Sequence, residues 1–81
     1  MAHTYSPKGV CSRQISFDLD DEGCVHNVQF YGGCHGNTQG LAALCEGMLA
    51  DEVISRLKGI RCGMKATSCP DQLAKAIEEV W

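Results

Sequence analysis

The sequence predicts a small α+β domain: an antiparallel β-hairpin or small sheet followed by three helices that pack on one of its faces. Three observations lead to this fold class. Apolar and polar residues alternate in the first half, which is the period of a strand with one exposed face. In the second half the apolar residues recur every three or four positions, which is the period of a helix. No repeat or low-complexity stretch divides the 81 residues, so we expect one domain.

The first nine residues are polar and carry Pro7 and Gly9. Chain termini of this composition often pack late or not at all. We therefore assign residues 1–9 as a flexible leader and residues 10–81 as the single domain.

Two strands are predicted in the first half. The apolar side chains of Ile15, Phe17 and Leu19 alternate with polar neighbours. Residues 20–23 read D-D-E-G, a turn sequence whose glycine suits a positive φ. A second β-rich run follows from Val25 to Tyr31, so the two runs form a hairpin with an acidic tip.

The glycine-rich segment 32–37 ends the second strand, and the pattern then becomes helical. The first helix carries an apolar stripe at i, i+3 and i+7, formed by Leu41, Leu44 and Met48. The second helix begins at the acidic pair Asp51–Glu52, which favours a helix N-terminus, and it ends at Gly59.

The third helix has the clearest start signal. Ser68 is a capping residue, Pro70 is tolerated in the first turn, and Asp71 lies three residues past the cap. Apolar residues then repeat every four positions at Leu73, Ile77 and Trp81. The helix therefore begins at Cys69.

Composition and charge disfavour several classes of function. No run of about 18 apolar residues is present, so no segment is expected to span a membrane. The start of the chain lacks a basic and apolar secretory signal, which places the protein in the reducing cytoplasm. The net charge is −3 and the sequence has no cluster of Lys or Arg. We therefore expect no positively charged surface that would bind nucleic acid or an anionic membrane.

Six cysteines are the main chemical feature of so short a chain. Cys45 lies one turn after Leu41 on a helical stripe and Cys24 follows a turn, so we interpret both as unliganded. Four others lie at element boundaries, where side chains converge at one end of a small domain: Cys11, Cys34, Cys62 and Cys69. None of their spacings is the Cys-x2-Cys pattern that identifies a zinc site by itself.

Four thiolates suit tetrahedral zinc or an iron–sulfur cluster, and a bound metal would stabilise a core this small. Cys69, at a helix N-terminus, is placed where the macrodipole favours a thiolate for ligation or redox work. Buried free thiols and a disulfide framework are the alternatives, although the missing secretory signal disfavours disulfides. His35, beside Cys34, is a further candidate for ligation or support.

Residues 67–71 read T-S-C-P-D, and the chain here resembles the TSCPD-domain family, which is named after this pentapeptide. The resemblance extends to Y-S-P-K-G-V-C-S at 5–12, F-Y-G-G-C-H-G-N at 30–37 and G-I-R-C-G at 59–63. It implies a domain also found at the C-terminus of adenosylcobalamin-dependent ribonucleotide reductases. The same four boundary cysteines fall on the family's cysteine positions.

A more distant similarity is to the scaffold proteins on which iron–sulfur clusters are assembled, through the element order and Cys11, Cys34 and Cys69. Two departures from the scaffold pattern count against labile cluster assembly. Arg13 stands where scaffold proteins have an aspartate, two residues past the first cysteine, and Ser68 stands where they have a histidine, before the third cysteine. Cys62 would instead complete a four-thiolate site that holds a metal permanently.

We therefore predict a cytoplasmic, cysteine-rich, zinc-binding accessory domain associated with ribonucleotide reduction and deoxyribonucleotide synthesis. Its expected partner is a ribonucleotide reductase or another protein. Catalysis by this chain alone is not expected, because 81 residues cannot hold a barrel, a radical cofactor site and nucleotide pockets. The alternatives are an iron–sulfur scaffold or carrier, and a thiol redox or sulfur-transfer protein that uses Cys69.

Overall fold

A computed structural model of the protein describes residues 2–7, 9, 12–32 and 35–81. Within these residues an antiparallel sheet of three strands, in the order β1-β2-β3, is followed by three helices. The predicted α+β class is confirmed. The elements are β1 (Ala2–Tyr5), β2 (Ser12–Leu19), β3 (Val25–Gly32), α1 (His35–Cys45), α2 (Ala50–Leu57) and α3 (Cys69–Val80).

Strand β1 lies inside the segment that the sequence analysis treats as a leader. It pairs with β2 from Ala2 opposite Asp18 to Tyr5 opposite Ile15. Tyr5 packs against the core, and the ring of His3 lies 5.4 Å from that of Phe17, its partner across the two strands. Four residues of mostly polar character are too few for a periodicity signal, so only the contacts across the sheet show this strand.

The predicted hairpin of β2 and β3 is confirmed. Its turn depends on Asp20, whose Oδ1 accepts hydrogen bonds from the backbone N–H groups of Glu22 and Cys24, both at 2.9 Å. Gly23 has a φ of +82°, a left-handed conformation that favours glycine. The predicted turn at D-D-E-G is therefore confirmed, with Asp20 accepting the backbone hydrogen bonds and Gly23 providing the positive φ.

A β-bulge at Asn27 interrupts β3. Asn27 has a φ of +55°, and the pairing register shifts between Ser16 and Asp18. The extra residue changes which positions of β3 face inward, so that Val25 and Val28 are both buried although they are three residues apart. This irregularity explains why β3 does not alternate as strictly as β2.

The core lies between one face of the sheet and the three helices. On α1 the inward stripe is Thr38, Leu41 and Cys45, and Cys45 is only 3% exposed. The prediction that Leu44 belongs to this stripe is wrong, because Leu44 is 76% exposed. Leu44 precedes Cys45 by about 100° of helical rotation, which turns it away from the sheet once Cys45 faces inward. The buried cluster is formed by Ile15, Phe17, Leu19, Val25, Val28, Cys45, Ala50, Val53, Leu73, Ala76 and Ile77.

Helix α3 confirms the third helical prediction and buries Leu73 and Ile77 completely. Just beyond its end, the indole of Trp81 covers Gly23, where an added Cβ would lie 2.5 Å from the ring. α3 is also the longest helix in the described part of the chain, with 12 residues. A membrane span needs about 20 residues, and none of the described helices is long and apolar enough to be one.

Candidate metal centre

A cavity of about 250 Å³ brings together two of the four predicted ligands, Cys62 and Cys69. Cys62 lies on the connection between α2 and α3 and is exposed, whereas Cys69 is the first residue of α3 and is half-buried. Residues from the beginning of α1 form the opposite wall: Asn37, Thr38 and Leu41. We refer to residues 59–69 and the first turn of α1 as the cysteine end of the molecule.

The carboxylate of Asp71 holds both ends of the loop that carries Cys62. Its Oδ1 accepts a hydrogen bond from the Gly59 N–H at 2.7 Å, and its Oδ2 accepts one from the Thr67 hydroxyl. The Lys75 ammonium lies 3.3 Å from Oδ2. Asp71 is only 2% exposed, so these partners replace the water that a carboxylate would otherwise bind.

These contacts keep Asp71 ionised. The Thr67 hydrogen bond, then the Gly59 N–H and Lys75, lower the pKa of Asp71, although burial by itself would raise it. A charged, buried carboxylate therefore joins the loop to α3 at neutral pH.

Ser68 fixes the position of Cys69 at the start of α3. Its Oγ accepts a hydrogen bond from the Asp71 N–H at 3.2 Å, as predicted for a helix cap, and donates one to the Ile60 carbonyl at 2.6 Å. In a capping box the acid would reach back to the backbone of the cap residue. Here the Asp71 carboxylate turns to the loop instead, so the T-S-C-P-D sequence both caps α3 and fastens the loop.

Cys62 begins a tight turn of its own. The Lys65 N–H donates to the Cys62 carbonyl at 3.0 Å, and the Cys62 N–H donates to the Thr67 carbonyl at 3.1 Å. Gly63 provides the positive φ, +58°, within this turn. Cys62 is therefore tied to Thr67, two residues before Cys69 in the sequence.

Cys11 and Cys34 lie outside the described residues, so their role as ligands stays a prediction. Their described neighbours in the chain include Gly9, where an added Cβ would lie 3.2 Å from the Thr67 methyl group. Ser12 pairs with Gly32 at the end of the sheet away from the hairpin turn. Among residues 2–7, 9, 12–32 and 35–81, no three His, Cys, Asp or Glu side chains are grouped to hold a metal.

The two cysteines interpreted as unliganded have different surroundings. Cys45 lies in the core, where burial raises the pKa of its thiol. Burial and then the charges of Asp20 and Glu22 raise the pKa of Cys24. Cys24 follows Gly23, which Trp81 covers, so it lies near the end of α3 opposite to Cys69, on a helix about 18 Å long.

One cluster of titratable groups, formed by His26 and two carboxylates, was not predicted from the sequence. The His26 Nδ1 lies 2.5 Å from a Glu46 oxygen, and the His26 Nε2 lies 2.8 Å from an Asp20 oxygen. These bonds, Asp20 first, raise the pKa of His26. Glu46 is 20 residues away in the sequence, so no local spacing indicates this cluster.

Three comparisons with known proteins complete the description. A family model described as the TSCPD domain matches residues 2–81, from the first residue of β1 to Trp81. No curated protein and no solved structure matches the chain. The more distant similarity to iron–sulfur scaffolds therefore stays a prediction.

Proposed function

The chain belongs to the TSCPD-domain family, and from this premise we propose that it is a zinc-binding accessory module of the cytoplasm. The proposed ligands are Cys11, Cys34, Cys62 and Cys69. Bound zinc would act as a structural cross-link that contributes directly to the folding free energy. The proposal includes no catalysis by this chain alone.

The observation that carries the proposal is the cavity shared by Cys62, Cys69 and the first turn of α1. Cys34 directly precedes α1 in the sequence, and Cys11 directly precedes Ser12, the first residue of β2. A structural zinc site takes four ligands from segments that meet at one place. Two thiols and the beginning of α1, the helix that Cys34 precedes, line one cavity and support such a site.

The environment of Ser68 favours a permanently held metal over labile cluster assembly. Its hydroxyl is committed to two hydrogen bonds, to the Asp71 N–H and the Ile60 carbonyl. It therefore serves the cap of α3 at the position where scaffold proteins have a histidine. Four cysteine thiolates remain as the donor set, and this set suits zinc.

The test is the metal, sulfide and free-thiol content of protein purified without oxygen. We expect one zinc per chain, no acid-labile sulfide, and four thiols that react with an alkylating reagent only after chelation. Brown protein with iron and matching sulfide would instead identify the iron–sulfur alternative. Metal-free protein with all its thiols reactive would contradict both metal proposals.

Serine variants identify the ligands. Cys62→Ser and Cys69→Ser, made separately, should lose most of the zinc, and the same holds for Cys11→Ser and Cys34→Ser. Cys24→Ser is the matched control, because Cys24 follows Gly23 at the other end of α3 from Cys69, and it should retain the zinc. Full zinc content in Cys62→Ser, or zinc loss in Cys24→Ser, would overturn the ligand assignment.

A second candidate is thiol redox chemistry, which the shared cavity of Cys62 and Cys69 favours because one thiol of the pair is exposed. The two thiols would lose two protons and two electrons to a substrate disulfide, which is reduced to two thiols while the Cys62–Cys69 disulfide forms. This function would be favoured if zinc-free native protein reduces a model disulfide and the Cys69→Ser variant does not.

We also propose a ribonucleotide reductase as the partner, on the resemblance to a domain found at the C-terminus of such enzymes. Adding the zinc-loaded module to a reductase assay should change the turnover or stability of the enzyme. No change, together with no binding in sedimentation, would remove this partner and leave the metal proposal intact.

A further inference from the structure

Three segments meet around Gly23, at the far end of α3 from Cys69: residues 20–24, 46–51 and 77–81. The Ala50 N–H donates to the Gly23 carbonyl at 2.8 Å, and Leu49 forms a β-bridge with Cys24. The Trp81 ring covers Gly23 from the side of α3. We refer to these three segments as the acidic end.

Large apolar side chains are exposed at this place. Leu49 is 52% exposed, Val80 44% and Trp81 56%. Leu49 and Trp81 come from different parts of the chain. Leu49 is held there by its β-bridge to Cys24, and Trp81 by the contact of its ring with Gly23. Apolar surface that is rimmed by polar residues is typical of interaction sites.

The rim is negatively charged. The three segments contain no Lys or Arg, and their acids are Asp20, Asp21, Glu22, Glu46, Asp51, Glu78 and Glu79. Three of these acids have partners, since His26 binds Asp20 and Glu46, and Lys58 binds Glu78. Within the described residues no cation pairs with the other four, Asp21, Glu22, Asp51 and Glu79. Like charges held together repel one another, so their clustering costs stability that a cationic partner would recover.

We propose that the acidic end docks a basic segment of a partner protein, in which an apolar side chain is flanked by Lys or Arg. The apolar side chain would pack against Trp81 and Leu49, and the flanking cations would pair with acids such as Glu22 and Glu79. A cation that crosses the indole face of Trp81 would add a cation–π contact. This docking does not depend on the metal site.

Charge selects this occupant over two other classes of macromolecule. Phosphate backbones of nucleic acids and anionic lipid surfaces are both negative and would be repelled by Asp21, Glu22, Asp51 and Glu79. A second copy of this chain is the competing occupant, because Arg61 and Lys65 lie at its cysteine end. The test separates these cases.

Trp81 is the single tryptophan, so its fluorescence reports on binding at this site. The probe is a six-residue peptide with a central Leu-Phe pair and two basic residues on each side, titrated into the zinc-loaded full chain. We expect a blue shift of the Trp81 emission and NMR shift changes confined to the acidic end. Raising NaCl from 50 to 500 mM should weaken binding roughly tenfold.

Two double variants that change the net charge equally locate the binding site. Glu22→Gln with Glu79→Gln should weaken peptide binding about fivefold, because two exposed ion pairs are lost. Gln14→Lys with Gln39→Lys alters exposed residues outside the acidic end and should change it less than twofold. Leu49→Ser removes an apolar contact and should weaken binding about tenfold, and melting curves check that each variant folds.

Four results would overturn the proposal. Equal weakening by the two double variants, or equally tight binding of a peptide with Ser-Ser in place of Leu-Phe, would reduce the effect to long-range charge attraction. An acidic peptide that binds equally would exclude charge selection. Trp81 emission that shifts with protein concentration alone, with a larger mass in sedimentation, would make a second copy the occupant.

Discussion

The cysteine end and the acidic end both use carboxylates to join parts of the chain that are distant in sequence, but with opposite exposure. At the cysteine end the buried Asp71 binds Gly59, Thr67 and Lys75. At the acidic end His26 lies between Asp20 and Glu46, and all three side chains are at least one-third exposed to solvent. A buried carboxylate that loses its partners is costly, whereas solvent screens an exposed cluster. The first junction therefore contributes more stability, and the second responds more to pH near neutrality.

The largest expected effect comes from Asp71→Asn. The new amide would present a donor to either the Gly59 N–H or the Thr67 hydroxyl, and Lys75 would lose its charge partner. We expect a loss of about 3 kcal/mol in the free energy of unfolding at pH 7, measured by urea titration. Because the pKa of Asp71 lies below its ordinary value of 3.8, this contribution is present above that pH and is lost as the pH falls below it.

Asp51→Asn is the control for that experiment, because Asp51 is an exposed acid at the start of α2. It should cost less than about 1 kcal/mol, which is the usual range for a charge at a helix N-terminus. If both variants lose the same stability, the buried junction has no special role and the comparison of the two ends fails.

The next effect tests the contact between Trp81 and Gly23. Gly23→Ala would place a Cβ 2.5 Å from the indole, at a φ of +82°. We expect a loss of about 2 to 3 kcal/mol together with a change in Trp81 fluorescence, because left-handed strain adds to displacement of the ring. Gly47→Ala is matched in φ, +80°, but has nothing within 4 Å, so it should show only the strain, about 1 to 2 kcal/mol. Equal losses in the two variants would show that Trp81 does not pack on Gly23.

A smaller effect of opposite sign is expected in α1, which forms one wall of the cysteine end. Gly40 lies inside the helix with nothing within 4 Å of an added Cβ. Gly40→Ala should therefore raise the free energy of unfolding by up to about 1 kcal/mol, since it restricts the unfolded chain and favours the helix. Gly59→Ala, at a φ of +89°, should destabilise the protein instead. A destabilising Gly40→Ala would mean that α1 is not helical at this position.

The smallest effect concerns the pH dependence of the acidic end. The pKa of His26 is raised above 6.5 by its carboxylate partners, so its contribution is present below pH 6.5 and is lost as the pH rises through the higher folded value. The pKa of Glu46, lowered from 4.5 by the Asn27 N–H and then by His26, gives a contribution that is lost as the pH falls below 4.5. Glu46→Gln should therefore reduce stability more at pH 5.5 than at pH 9.

Glu52→Gln is the control for the pH experiment. Glu52 pairs with Arg56 on the exposed surface of α2, and arginine keeps its charge throughout this range. The effect of Glu52→Gln should thus be the same at pH 5.5 and pH 9. If the loss of stability in Glu46→Gln is also the same at pH 5.5 and pH 9, the charge of His26 is not coupled to Glu46.

Local patterns predicted most of the fold correctly. The alternation of Ile15, Phe17 and Leu19 identified β2, and all three side chains are buried. The cap at Ser68 marked the start of α3 to the residue. These signals depend on neighbours within a few positions, and such neighbours stay together whatever the rest of the chain does.

Features that depend on distant partners escaped the sequence. β1 requires β2 as its partner, and the direction in which Leu44 points depends on the face of α1 that meets β3. The role of Asp71 was only partly predicted, because its position after the cap is local but its bond to Gly59 spans 12 residues. Cys62 and Cys69 were predicted to converge and do share a cavity, while the shared site with Cys11 and Cys34 stays a prediction.

The sequence by itself determined the α+β class, the hairpin, the start of α3 and the family, because each follows from residue types at short spacing or from motifs along the chain. Only the tertiary structure decided that Trp81 covers Gly23, that His26 lies between two carboxylates and that Asp71 fastens the loop carrying Cys62. Each of these contacts joins residues that no local pattern relates. They form because burying the common core brings their segments together.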